Sequence, residues 1–184
     1  MQQEFTLTIF SENHVGLLNQ ITTAFTRRSI NIESLNTSES ALEGIHKFTI
    51  VVYSTREQIE KLRGQLEKKI DVLKVFVFTT DEIIHQELAL YKVPTEALLS
   101  GNEIEQLVRS YGARIMEVTP DYTVIQKTGH KSETQELFVK LDKYGVLQFI
   151  RSGRVAITKV REELLEKYLK KLRIDNKIKG IETY

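Results

Sequence analysis

Hydrophobic spacing in this chain switches between period two and helical period in the same order twice, and that repetition restricts the fold more than any other feature. Phe5, Leu7 and Ile9 alternate with Thr6 and Thr8, the pattern of a half-buried strand. Leu17, Leu18, Ile21, Ala24 and Phe25 then recur at three- and four-residue spacing and predict one apolar helix face. Residues 31–40 are extended and polar. A second apolar strand at 45–53 follows them through the short connection 41–44, which makes the two a hairpin. Thr55 and Gln58 fit a capping box ahead of a helix striped by Ile59, Leu62, Leu66 and Ile70, and a strand at 72–79 completes the order βαββαβ.

Residues 81–86 are polar and end the first unit, after which the order restarts. A strand at 87–93 is closed by Pro94. Asn102, with Glu105 behind it, caps a helix bearing Ile104, Leu107, Val108 and Tyr111, and Gly112 stops it. Strands at 113–119 and 122–128 flank Pro120-Asp121. Ser132 with Gln135 predicts another capping box before Leu137, Phe138 and Leu141, with Gly145 after the helix. Residues 146–150 and 154–158 add closing strands around Ser152-Gly153. The implied class is α+β: two ferredoxin-like βαββαβ domains, each a four-stranded antiparallel sheet with two helices on one face.

The expected boundaries are 1–80, 81–159 and a helical tail at 160–184. In the tail Leu164, Leu165, Tyr168, Leu169 and Leu172 face inward; the plainer expectation is a helix packed on its own second domain, and the alternative is a docking helix for a partner. Glu162, Glu163 and Glu166 come early and Lys170, Lys171 and Arg173 late, complementing the helix dipole. Each sheet has a face and edges that need cover, so an oligomer is expected.

Composition removes several function classes. With 26 basic and 25 acidic residues among 184, the net charge of +1 builds no field that calls for nucleic acid or a membrane surface. There is no cysteine, hence no disulfide, thiolate nucleophile or cysteine metal site. The first residues, MQQEFTLTIF, lack a basic segment followed by a long apolar run, and no stretch has the length to span a bilayer, so the cytoplasm is the expected compartment.

His14, His46, His85 and His130 stand singly, without metal-ligand spacing. No G-x-G-x-x-G, Walker loop or G-x-S-x-G elbow is present, so no nucleotide or serine-hydrolase chemistry is indicated. RNA-binding folds of the same element order display several stacking aromatics on the third strand, where GIHKFTIVV has one.

The chemistry that remains is recognition, at residues 11–35. Glu12-Asn13-His14-Val15-Gly16 forms a turn into the first helix, with Asn13 as the predicted N-cap. Gly16 leaves room where a ligand or a second chain could approach the amides of the first helical turn, a place that favours an anion by roughly 0.3 to 1 kcal/mol. An ordinary capped helix has the same features, and the residues alone leave both readings open.

Asn13-His14-Val15-Gly16-Leu17-Leu18 followed by Ile30-Asn31-Ile32-Glu33-Ser34-Leu35 resembles the ACT domain of the small, regulatory subunit of acetolactate synthase, also called acetohydroxyacid synthase. Asp71-Val72-Leu73-Lys74-Val75, Glu117-Val118-Thr119-Pro120-Asp121, Tyr122-Thr123-Val124, Arg151-Ser152-Gly153 and Val155-Ala156 extend the resemblance over residues 4–158.

The resemblance implies a non-catalytic subunit that stimulates a large catalytic subunit and confers feedback inhibition by valine, leucine or isoleucine. Thiamine diphosphate, magnesium and FAD would belong to the large subunit, with no cofactor in this chain. It implies a homodimer through the ACT domain, with effector between two copies. Asn13, His14, Val15, Gly16 and Leu17 would meet it from one chain, and Asn31 and Ile32 from the other. Helix-start amides suit the effector's carboxylate, asparagine oxygens its ammonium, and flanking apolar residues its aliphatic side chain. The family often has Arg-Pro where this chain has His14-Val15, and glycine where Ser29 stands. A free-standing amino-acid-sensing adaptor of another enzyme is the alternative the same residues allow.

Overall fold

The computed structural model describes residues 1–178, with residues 172–178 described by their backbone alone. The chain forms two compact units, residues 1–84 with the described chain from Ile157 onward, and residues 85–156.

The first unit contains β1 (Gln3–Glu12), α1 (Leu17–Thr26), β2 (Ser34–Glu39), β3 (Ile45–Ser54), α2 (Arg56–Leu66) and β4 (Val72–Phe78). Its antiparallel sheet has the order β2-β3-β1-β4, the ferredoxin-like arrangement the periodicity predicts. Phe5, Leu7 and Ile9 of β1 pack with Ile21 and Phe25 of α1, Ile50 of β3 and Leu62 of α2 in one core. Leu18 is 43% exposed, because the buried stripe of α1 narrows to Leu17, Ile21, Ala24 and Phe25. Ile70, 94% exposed, lies past the end of α2 and so misses the stripe it was assigned to. The Thr55 and Gln58 capping box forms as expected. β1 departs from half-burial: Thr6 and Thr8 are buried as well, so both faces of this central strand are covered.

A single turn of 3-10 helix at Thr80–Glu82 leads into β5 (Ile83–Pro94), which starts earlier than its apolar alternation alone suggests. Then come α3 (Thr95–Leu99), α4 (Glu103–Ser110), β6 (Arg114–Val118), β7 (Tyr122–Gly129), α5 (Lys131–Asp142), β8 (Gln148–Arg151) and β9 (Val155–Thr158). The second sheet has five strands rather than four, in the order β6-β7-β5-β8 with β9 also on β5, because the Ser152-Gly153 turn divides the closing strand. Tyr91, Ile104, Ile125, Leu137 and Leu141 form its core. The Tyr91 hydroxyl donates to the Thr134 carbonyl at 2.7 Å. Burial pushes its pKa up to about 12, so the phenol keeps the proton that this bond needs.

Two helix starts differ from expectation. Asn102 precedes α4 without a side-chain cap bond. α5 begins at Lys131, and Glu133 rather than Gln135 reaches back, its carboxylate accepting from the His130 amide at 2.6 Å. Gly112 and Gly145 end their helices in the left-handed region, as predicted.

The tail helix, α6 (Leu164–Ile178), belongs to the first unit, which corrects its expected packing on the second domain. Leu165 is 1% exposed there, and the Lys74 ammonium sits 5.1 Å from the centre of the Tyr168 ring. The inward placement expected of Leu172, the dipole role of Arg173 and the charged residues after them lie outside the described side chains. No helix among the described residues is long and apolar enough to cross a membrane.

The candidate effector turn

β1 ends at Glu12 and α1 begins at Leu17, and the four residues between them form an exposed turn. Asn13 does not cap α1. The capping position is taken by Gly16 in the left-handed region at φ 91°, with no side-chain cap bond. Glycine adopts this conformation without the Cβ clash that other L-residues incur. A Cβ built there meets nothing within 4 Å, so the position opens into free space in a single chain.

The Gln20 amide donates to the Gly16 carbonyl at 3.1 Å and the Leu17 amide to the His14 carbonyl at 3.4 Å. Leu18 and Asn19 follow in the first turn, where amides have no acceptor within the helix. No acidic side chain occupies that turn, so its positive end is uncompensated by the helix itself.

The turn is tied to the start of β4. The Glu12 amide donates to the Asp71 carbonyl at 3.0 Å, and His14 Nε2 lies 2.9 Å from Asp71 Oδ1. His14 Nδ1 is 3.3 Å from the Val15 carbonyl. An imidazolium can donate to both acceptors at once and a neutral ring to only one, so the arrangement favours the cation. The hydrogen bond to Asp71 is the largest cause of the rise in the His14 pKa above its ordinary value, followed by the bond to Val15. Asp71 was not among the residues assigned to the turn, although it opens the Asp71-Val72-Leu73-Lys74-Val75 stretch that carried part of the resemblance.

Leu17, 2% exposed, is anchored in the core, and Ile32 packs against the same core from the other end of α1. Asn31 is exposed, its Nδ2 donating to Glu33 Oε1 at 2.7 Å. The turn and Asn31 thus stand at opposite ends of a ten-residue helix, about 15 Å long at 1.5 Å per residue. One chain does not bring the two halves of the predicted site together.

Between them, α1 closes on Ser29 at φ 54°, the non-glycine residue in the left-handed region among the described residues. The Ser29 amide donates to Thr26 and the Ile30 amide to Phe25, the bond pattern of a Schellman motif. Glycine is the residue that most often closes a helix in this pattern.

A separate cavity of ≈ 180 Å³ between α1 and α2 is lined by Asn19, Gln20, Thr23, Ala24, Arg27, Gln65 and Lys69, and includes none of the predicted effector residues. Among the described residues no group of three or more His, Cys, Asp or Glu could hold a metal ion.

A ferredoxin-like first unit with an exposed glycine turn between β1 and α1, joined to a second ferredoxin-like unit, defines an ACT-domain protein of two α+β units. Residues 7–74 match the AHAS small subunit-like ACT domain, and residues 86–160 match the family described as the small subunit of acetolactate synthase. The acetolactate synthase small subunit of Bacillus subtilis (strain 168) is 36% identical over 160 residues, covering 86% of this chain and 91% of that one. Its counterpart from Mycobacterium leprae (strain TN) is 32% identical over 154 residues, covering 84% and 90%. The crystal structure of the small subunit from Thermotoga maritima matches with a TM-score of 0.79 at 26% identity, covering 87% of this chain and 99% of that one. This chain belongs to the acetolactate synthase small-subunit family.

Proposed function

We propose that this chain is the regulatory subunit of an acetolactate synthase, raising the activity of a thiamine-diphosphate-dependent large subunit and making it sensitive to a branched-chain amino acid. The observation that carries the reading is the turn at 13–16. An open glycine and the first-turn amides leave a place suited to a carboxylate, and no acidic residue of the first helical turn fills it, while His14 beside them is held by Asp71.

Because α1 separates the turn from Asn31, a complete site takes the turn from one copy and Asn31 with Ile32 from another. β2 lies at an edge of the first sheet and is polar and largely exposed, so its outer side offers a pairing edge for a second copy. Asn31 Oδ1 then faces the effector's ammonium, and Val15, 100% exposed in the single chain, supplies apolar contact for the aliphatic side chain. Thiamine diphosphate, magnesium and FAD belong to the large subunit in this reading.

Calorimetric titration with valine, leucine and isoleucine, run alongside sedimentation, tests the effector half of the proposal. Saturable binding of at least one of them by a dimer is the expected result. No heat from any of the three, or tight binding by a strict monomer, defeats it.

A further inference from the structure

We propose that α6 is a cap with which this chain closes the outer face of its own N-terminal sheet, docking on the cross-strand row Lys47-Phe10-Lys74. Phe10 of β1 stands opposite Lys47 of β3 on one side and Lys74 of β4 on the other. Ile9 points into the core beneath the helices, so by alternation this row lies on the opposite face of the sheet. The row offers cation, aromatic ring, cation, and Phe76 meets Phe10 edge-on at 6.1 Å beside it.

α6 and the residue before it present the complement in matching order. Burial lowers the Lys47 pKa, and the opposing influence is the charge of Glu163. At the other end of the row, the Tyr168 ring lies 5.1 Å from the Lys74 ammonium, which also pairs with Glu67 at 2.7 Å. Lys47 and Lys74 sit one strand either side of β1, about 10 Å apart at the ordinary strand spacing, and five residues of helix rise about 7.5 Å. The helix therefore crosses the strands along the row, with Leu165 between its polar ends. Leu165 is 1% and Phe10 6% exposed.

The docking row falls inside the residues that match the family's ACT domain, whereas α6 lies beyond residue 160, where the second family match ends. The cap thus lies outside both matched segments.

Its position has a consequence for the turn. The pairing of β1 with β4 shifts register between Phe10 and Ser11, directly before the turn that begins at Asn13. A helix held on Phe10 and Lys74 clamps both strands at that irregularity and steadies the turn's attachment to Asp71. This consequence rests on the effector reading above; the cap does not.

Hydrogen exchange on the full chain carrying Leu165→Asp tests the cap. Amides of β1 and β4 around Phe10 and Val75 should exchange about tenfold faster or more, with those of Tyr91 and Ile125 unchanged, as a local opening requires. Tyr168→Ala is the milder variant and should show the same pattern in smaller measure, whereas Leu165→Met should retain protection. Unchanged exchange in β1 and β4 with Leu165→Asp overturns the proposal. Should that variant unfold as a whole, Tyr168→Ala decides by the same two outcomes. Valine titration of the same proteins separates the two readings. Failure of the wild type to bind valine, with β1 and β4 still loosened by Leu165→Asp, defeats valine as the effector and leaves the cap supported.

Discussion

His14 Nε2 and Asp71 Oδ1 are 2.9 Å apart, an ion pair that fastens the turn after β1 to the residue directly before β4. Because His14 carries a raised pKa, its pair contributes stability that is fully present below the ordinary histidine value of 6.5 and is lost as pH rises through the raised one. Melting temperature measured from roughly pH 5, above the ordinary aspartate pKa, to about pH 9 should show it. Asp71→Asn should lower the midpoint most at the acidic end, and the two curves should meet at the alkaline end. Parallel curves would mean that the pair adds no pH-dependent stability.

Ser29→Gly should stabilise the fold. A non-glycine residue in the left-handed region costs about 1 to 2 kcal/mol, and glycine's larger unfolded-state entropy returns roughly half of that. The expected gain is about 0.5 to 1 kcal/mol by chemical denaturation. Ser29→Val, β-branched at φ 54°, should lose at least as much.

Gly16→Asn and Gly16→Asp separate bulk from charge in the turn. Both side chains tolerate the left-handed backbone better than other residues, and neither meets an atom of its own chain at the Cβ. Asparagine should weaken valine binding by bulk alone. Aspartate should abolish it, since it sets a carboxylate against the effector's own. Asn31→Ala should cost roughly 1 to 3 kcal/mol of binding, about a five- to 150-fold drop in affinity. Calorimetry on variants with unchanged melts reads all three.

Arg151 is a structural residue of the second unit. Its Nε lies 3.1 Å from Glu87, which is 5% exposed, and its Nη1 reaches Thr134 Oγ1 at 3.3 Å. Removing one partner of a buried pair costs about 3 to 5 kcal/mol, and Arg151→Met should fall near the lower figure because the arginine keeps some exposure. Adding Glu87→Gln should recover part of the loss in denaturant titration.

The order of elements was legible because strand and helix periods differ, and the turn at 13–16 stood out by its composition. Asn13 was misread as a cap because an asparagine ahead of an apolar stripe is a good local signal, yet Gly16 begins the helix later by taking φ 91°. The same limit applies at Ser132, where capping letters lie two residues past the true N-cap, His130. Asp71 could not be linked to His14 from spacing, since the contact depends on β1 and β4 becoming neighbours. Nor did Thr6 and Thr8 announce their burial, because threonine reads as solvent-facing until a second layer covers the sheet. The tail's apolar stripe marked a docking helix but carried no information about its partner; the match of Glu163 and Tyr168 to Lys47 and Lys74 exists only across the folded sheet.

The regulatory role itself is tested most directly by the steady-state rate of acetolactate formation by the large subunit, with and without a saturating amount of this chain, each over a series of valine concentrations. Coupling of the usual strength, about 1 to 3 kcal/mol, predicts a five- to 150-fold shift in the large subunit's cofactor affinity or valine response, seen here as a faster rate that valine suppresses when both proteins are present. An unchanged rate and an unchanged valine response at saturation would contradict the account.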